Sequence, residues 1–184
     1  AGFVVGYTYR FGDDGTVEIT NHVSPQGRLP EVLPRLGYTT MVSKDFENIT
    51  WYGRGPEENY PDRKLSQHLG YYTKLLSDFE TEYIRPQDNG YRCDTRFIEL
   101  NTVGHKLFIR GLQPLCFNAH DYADEELDKY PRHPQDVNRD GLMHLNIDLN
   151  VHGVGGINTW GGRTLPQYTL PGSKAYSYGF IIEY

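Results

Sequence analysis

Ala175-Tyr176-Ser177-Tyr178-Gly179-Phe180-Ile181-Ile182-Glu183-Tyr184 is the stretch whose period decides the fold class. Tyr176, Tyr178, Phe180, Ile182 and Tyr184 recur at every second position, opposite Ala175, Ser177 and Gly179. That is the two-residue period of a β-strand with one buried face. A row of aromatic rings can also serve as a sugar-binding platform. Burying one face is what an antiparallel sheet requires, however, so core packing is the reading that follows.

The same alternation opens the chain. Tyr7, Tyr9 and Phe11 share one face while Thr8 and Arg10 point the other way. Asp13-Asp14-Gly15 then supplies an Asp-Gly turn of the two-residue kind, and residues 16–23 return as a strand with Val17 and Ile19 alternating against Glu18 and Thr20, so a hairpin is predicted. Between the two ends, short runs bounded by turn residues predict strands over 37–42, 49–52, 82–85, 91–100, 105–111 and 143–149. Residues 121–130 carry an Asp N-cap, acidic residues in the first turn and a stop at Pro131, which predicts one short connecting helix. The fold class is therefore all-β, an antiparallel β-sandwich.

Composition agrees with this class. In 184 residues there are 15 tyrosines and 20 glycines but two methionines, a balance suited to pleated surfaces and tight turns in one domain. The formal charge of −6 comes from scattered acids without clustered Lys and Arg, which argues against a nucleic-acid partner. No apolar run approaches a membrane span, and Ala1-Gly2-Phe3-Val4-Val5-Gly6 lacks the charged region of a secretory signal. The chain starts without Met, as an excised or processed piece would, and the compartment of any parent stays open. Cys93 and Cys116 are too few for a disulfide framework and read as free structural thiols, although spacing does not decide whether they pair.

Candidate chemistry is sparse. Glu57, Glu58 and Asp62 invite comparison with the paired carboxylates of glycoside hydrolysis. They are interleaved with Arg54, Arg63 and two prolines, which favours ion pairs that rigidify the loop over 53–63. His120, His133, His144 and His152 match no metal-ligand spacing, and no G-x-S-x-G elbow surrounds a serine. Gly153-Val154-Gly155-Gly156 lacks the Lys-Ser/Thr of a phosphate loop and reads as a tight turn or a close backbone contact.

Trp51-Tyr52-Gly53-Arg54-Gly55-Pro56-Glu57-Glu58-Asn59-Tyr60-Pro61-Asp62-Arg63 resembles the W-x-G-x-G-P-x-E-N-Y-x-D-R signature of LacZ-type β-galactosidases, in glycoside hydrolase family 2. Leu33-Pro34-Arg35-Leu36-Gly37 precedes it and residues 83–96 follow it in the family's order, while Leu145-Asn146-Ile147-Asp148 and the block over 153–160 resemble the family's L-N-I-D and M-G-x-G-G-D-D-S-W segments. The resemblance covers nearly the whole chain. It implies a supersandwich of galactose-mutarotase-like form, with residues 1–184 as the later part of the C-terminal β-sandwich domain of a multidomain enzyme that hydrolyses terminal β-D-galactosides. Missing upstream strands would leave an open sheet edge and an exposed apolar patch.

The resemblance also implies that the catalytic glutamates, and the magnesium and sodium of such an enzyme, sit in other domains, so this chain carries no catalytic residue, cofactor or metal ligand. Its expected partners are the catalytic barrel of the same enzyme, the galactoside substrate and further copies of the parent, with no membrane and no nucleic acid. One substrate-facing residue carries over: His144 occupies the position of a family Trp just before the L-N-I-D block, where a ring stacks on sugar. Imidazole is smaller and can hydrogen-bond, which changes the expected contact. Ile157 and Asn158 stand where the family has two aspartates. Two other readings remain, an independent galactoside-binding module and the small subunit of a split β-galactosidase.

Overall fold

The alternation at the start of the chain forms a hairpin. Strands β1 (Gly2–Phe11) and β2 (Val17–Gln26) pair antiparallel with Phe11 opposite Val17, as seen in a computed structural model that describes residues 1–158 and 160–184. The connection runs over five residues, not the expected two, because Asp14 accepts hydrogen bonds from the Thr16 N–H (3.1 Å) and the Thr16 hydroxyl (2.7 Å). An aspartate that bonds the backbone two residues on makes its own turn.

The remaining strands are β3 (Val32–Leu33), β4 (Arg35–Ser43), β5 (Asn48–Gly55), β6 (His68–Leu75), β7 (Arg92–Thr102), β8 (His105–His120), β9 (Leu142–Val151), β10 (Leu170–Pro171) and β11 (Tyr176–Glu183). They run in the spatial order β1-β2-β11-β8-β7-β5-β6, with β9 joined to β8 and β4 to β9, while β3 and β10 form a separate ribbon. All pairings are antiparallel.

The fold turns on β8, expected to end at residue 111. Its first half, Phe108–Gly111, pairs with β11, and its last, Cys116–His120, pairs with β9. The strand therefore carries β9 and β4 across the face of the other strands. The core fills the space between: Ile19, Ile49, Trp51, Ile98, Ile109 and Phe180 from one side meet Leu36, Met143, Leu145 and Ile147 from the other. Trp51 packs at 5.5 Å from Phe79 and 6.1 Å from Phe117, and Tyr38 reaches Phe180 at 5.6 Å. Tyr178 and Phe180, the centre of the aromatic row, are buried in this core and not displayed as a platform.

Three expectations need correction. Residues 82–85 form no strand; Pro86 ends any ladder there, and Ile84 is 92% exposed. Strand β6, which was not anticipated, occupies an edge where Leu69 and Tyr71 remain exposed, so it shows no clean apolar face in the sequence. The expected helix over 121–130 is a 3-10 segment, Asp124–Lys129, capped by Ala123 without a side-chain hydrogen bond. Asp121 does not cap it because its carboxylate is held by Arg139.

At the other edge, β1 pairs only with β2 among the described residues and leaves Val4, Val5, Tyr7, Tyr9 and Phe11 exposed. Strand β1 thus presents an unpaired edge carrying exposed apolar side chains. No helix among the described residues is long and apolar enough to cross a membrane.

Candidate functional site

The loop that follows β5 is built around Asn59, which is fully buried. Its backbone N–H bonds the Tyr91 carbonyl (2.8 Å), its amide donates to the Glu57 carbonyl (3.0 Å), and its side-chain oxygen accepts from the Cys93 N–H (2.9 Å). A buried amide with its donors and acceptors satisfied fixes the loop against the start of β7.

Each carboxylate of the loop is then engaged by a neighbour. Glu58 accepts from the Arg63 guanidinium, the Tyr83 hydroxyl and the Gly90 N–H. Burial alone would raise its carboxyl, but these donors hold it below the ordinary range. Asp62 accepts from Val154 N–H (3.0 Å), Gly155 N–H (2.7 Å) and the Thr164 hydroxyl (3.0 Å), which outweigh burial and likewise depress it. Glu57 pairs with Lys74 at 2.9 Å. Arg54 turns away from the loop's acids to Asp94 (2.6 Å), which Lys64 also holds.

The glycine block closes over Asp62. A Cβ on Gly153 would stand 2.7 Å from the Asp62 carboxyl carbon, so only glycine lets the backbone approach. That is the close backbone contact expected of this segment. Asn158 completes the turn by accepting from the N–H groups of Trp160 (2.8 Å) and Gly162 (3.1 Å). Ile157 is exposed. Thr159, inside the same block, lies outside the described residues.

A second polar assembly was not foreseen. Asn118 and His120 on β8, and His144, Asn146 and Asp148 on β9, share the side opposite the apolar core, yet all are buried. The segments before β7 and after β8 cover them. Asn146 donates to Asn118 (2.7 Å) and Asp124 (3.2 Å) and accepts from Thr39 (2.7 Å). Asn118 donates to the Asn89 carbonyl (3.0 Å), which His120 Nε2 also meets at 3.1 Å. Burial lowers the His120 pKa, so the ring is neutral at physiological pH and donates from Nε2 to that carbonyl. Tyr122 stacks on the ring with centroids 4.7 Å apart.

Asp148 is the deepest acid. The Tyr91 hydroxyl donates to it (3.1 Å) and Arg35 approaches at 3.9 Å, while Arg35 also pairs with Asp124 at 3.0 Å. Burial nonetheless pushes Asp148 up to about 7, and burial with the nearby Asp124 pushes Asp88 up to about 6. One oxygen of Asp148 has no hydrogen-bond partner among the described residues and faces Gly37, where a Cβ would lie 1.5 Å away. A β-bulge at Leu36/Gly37 makes this room.

His144 lies at the end of this layer, opposite Met41 on β4 and His120 on β8. It is 6% exposed, and its Nε2 meets Asp140 at 2.9 Å. It lines neither of two cavities in the fold. One, of about 730 Å³, opens beside Asp45, Glu47, His105 and Asp121; the other, of about 380 Å³, lies between Tyr60, Asp88, Val151 and Gly153. The remaining candidate histidines do not converge with it: His133 belongs to a short turn whose backbone N–H bonds Asp136 (3.0 Å), and His152 Nδ1 sits 2.6 Å from the Gly153 carbonyl. No group of three His, Cys, Asp or Glu side chains is placed to hold a metal ion among the described residues.

A protein-family model described as beta galactosidase small chain matches residues 3–182. The chain is 32% identical over 177 residues to a beta-galactosidase of Priestia megaterium, 33% over 177 residues to one of Pseudoalteromonas haloplanktis, and 37% over 158 residues to one of Kluyveromyces lactis. These similarities cover 96%, 96% and 84% of this chain but 17%, 16% and 14% of the relatives. The chain thus spans about a sixth of the length of the curated relatives it matches.

Proposed function

The chain belongs to the beta galactosidase small chain family, and from that premise we propose that it is a noncatalytic wall of a galactoside pocket, packed on the catalytic barrel of a β-galactosidase. The observation that carries this reading is the state of the loop acids: Glu57, Glu58 and Asp62 are each engaged with structural partners. A retaining glycosidase needs two carboxylates about 5 Å apart across the scissile bond, one of them able to give and take a proton near neutrality. Acids locked to arginine, lysine and backbone N–H groups supply rigidity, and the reacting pair comes from elsewhere in the enzyme.

On this reading His144 borders the substrate, and movement of the exposed Asp140 frees its imidazole to hydrogen-bond a sugar hydroxyl where a larger ring would stack. The open β1 edge and its apolar side chains meet the rest of the enzyme. On the same reading the magnesium and sodium of the enzyme are held by other domains. A second reading, a separate small subunit that completes a barrel-bearing partner, is favoured by the words "small chain" in the family's description. A start codon directly upstream of Ala1 in the coding region supports it; an open frame running on into a barrel removes it.

The test of the noncatalytic role is hydrolysis of a chromogenic β-galactoside by the purified chain. No turnover above background is expected. Enzyme-like turnover in preparations free of contaminating β-galactosidase would overturn the proposal.

A further inference from the structure

Cys93 and Cys116 are free, buried and on neighbouring strands. β7 and β8 pair Arg92 with Phe117 and Thr95 with Leu115 across a bulge, and between those pairs the two sulfurs approach to 2.8 Å. Sulfurs this close on neighbouring strands have only a short further approach to make to reach bonding distance. The thiols form a chain of weak hydrogen bonds: Cys116 donates to Cys93 Sγ, and Cys93 donates to the Asn59 carbonyl at 3.4 Å. The bond to Cys93 and burial together push the Cys116 thiol up and keep it protonated.

A cavity of about 160 Å³ is lined by both cysteines together with Lys64, Asp94 and Asn150. Several waters fit in that volume, and so does a small polar oxidant. The Lys64 ammonium, held 2.9 Å from Asp94, forms a polar part of the same wall.

We propose that Cys93 and Cys116 are a redox modification site at which a hydroperoxide converts the dithiol to a disulfide joining β7 to β8. Cys93 Sγ attacks one peroxide oxygen; the S–O bond forms as the O–O bond breaks, and for hydrogen peroxide the departing hydroxide leaves as water with the Cys93 proton. Cys116 Sγ then attacks the sulfenic sulfur; the S–S bond forms, the S–O bond breaks, and the second water carries the Cys116 proton. Two sulfurs are oxidised and one peroxide is reduced to two waters. The product loses the thiol donor to the Asn59 carbonyl but keeps the Cys93 N–H bond to the Asn59 side chain. Oxidation therefore fastens the strands and relaxes one tie on the loop over 53–63. This inference stands independently of any role at a galactoside pocket.

The experiment uses the full-length protein, reduced, freed of reductant, treated under native conditions with graded hydrogen peroxide, then alkylated and digested for non-reducing peptide mapping. The expected result is a linked pair of peptides carrying Cys93 and Cys116, lighter by two hydrogens than their sum and separated again by a thiol reductant. Cys116→Ser is expected to abolish the linked pair. Recovery of both cysteines alkylated, conversion of either to sulfinic acid without a linked pair, or linkage only after denaturation would overturn the proposal. The wild-type mapping decides the matter even where the variant fails to fold.

Discussion

Strand β9 buries both of its faces, in opposite chemistry. Met143, Leu145 and Ile147 point into the apolar core, while His144, Asn146 and Asp148 point into a polar layer that is as well shielded from water. Shedding water holds the first face together without regard to direction. The second depends on donors and acceptors matched across Thr39, Asn118, Asp124 and Tyr91, and the one Asp148 oxygen left unpaired among the described residues is costly. The difference shows how a strand that looks half-exposed in sequence becomes a central one once irregular segments lie over its polar side.

Truncation on the two faces separates these contributions. Leu145→Ala, on the inner face, leaves a cavity and should lower the unfolding free energy by about 2–5 kcal/mol, read from urea or thermal denaturation. If it costs no more than a surface substitution, the apolar face is not the main support.

Asp148→Asn probes the outer face through pH. A carboxyl raised to about 7 in the folded state keeps a proton that the unfolded chain has lost above about pH 4. Stability should therefore fall as pH rises from about 4 to about 7 and level off above, with Asp88 adding to the fall in the lower part of that window. The substitution should flatten the profile and make the variant more stable than wild type above pH 7. An unchanged slope would show that Asp148 is not buried as an acid.

The loop over 53–63 has the opposite sign. Glu58 is held below its ordinary range, so its contribution is present above that range and lost as pH falls through the depressed value. Glu58→Gln should cost about 1–2 kcal/mol near neutrality and nothing at strongly acid pH. The smallest effect on stability belongs to His144→Phe, at about 1 kcal/mol or less, since its main partner is the exposed Asp140. In the full-length enzyme the same change should shift kcat/KM severalfold between galactosides that differ in their leaving group. Equal values for all would leave His144 a strand end.

The apolar half of this picture was legible from the sequence. Period-two alternation identified β11, whose buried face repeats at the period of the pleat, and the opening hairpin, whose alternating Tyr7, Tyr9 and Phe11 are in fact exposed, while bounding turn residues marked most of β9. It missed β6, whose His68-Leu69-Gly70-Tyr71-Tyr72 run sits at an exposed edge with no buried stripe to repeat. It also stopped β8 short, since Gln113-Pro114 reads as a break where the strand in fact bends from one partner to another. Structural engagement of Glu57, Glu58 and Asp62 could be anticipated from the arginines and prolines between them. The partners themselves could not: Tyr83, Gly90, Val154, Gly155 and Thr164 come from distant segments. The polar layer escaped notice for the same reason. Asn146 and Asp148 sit where alternation predicts solvent, and only the segments before β7 and after β8 turn that face inward.

The most direct test of the central claim is the turnover number of the full-length enzyme carrying, one at a time, Glu57→Gln, Glu58→Gln and Asp62→Asn. If these carboxylates hold the loop while the reacting pair lies elsewhere, kcat on a simple β-galactoside stays within about tenfold of wild type for each folded variant. Loss by a factor of about 10³ or more in any one of them, with its fold intact, is what removing a catalytic acid does and would contradict the account.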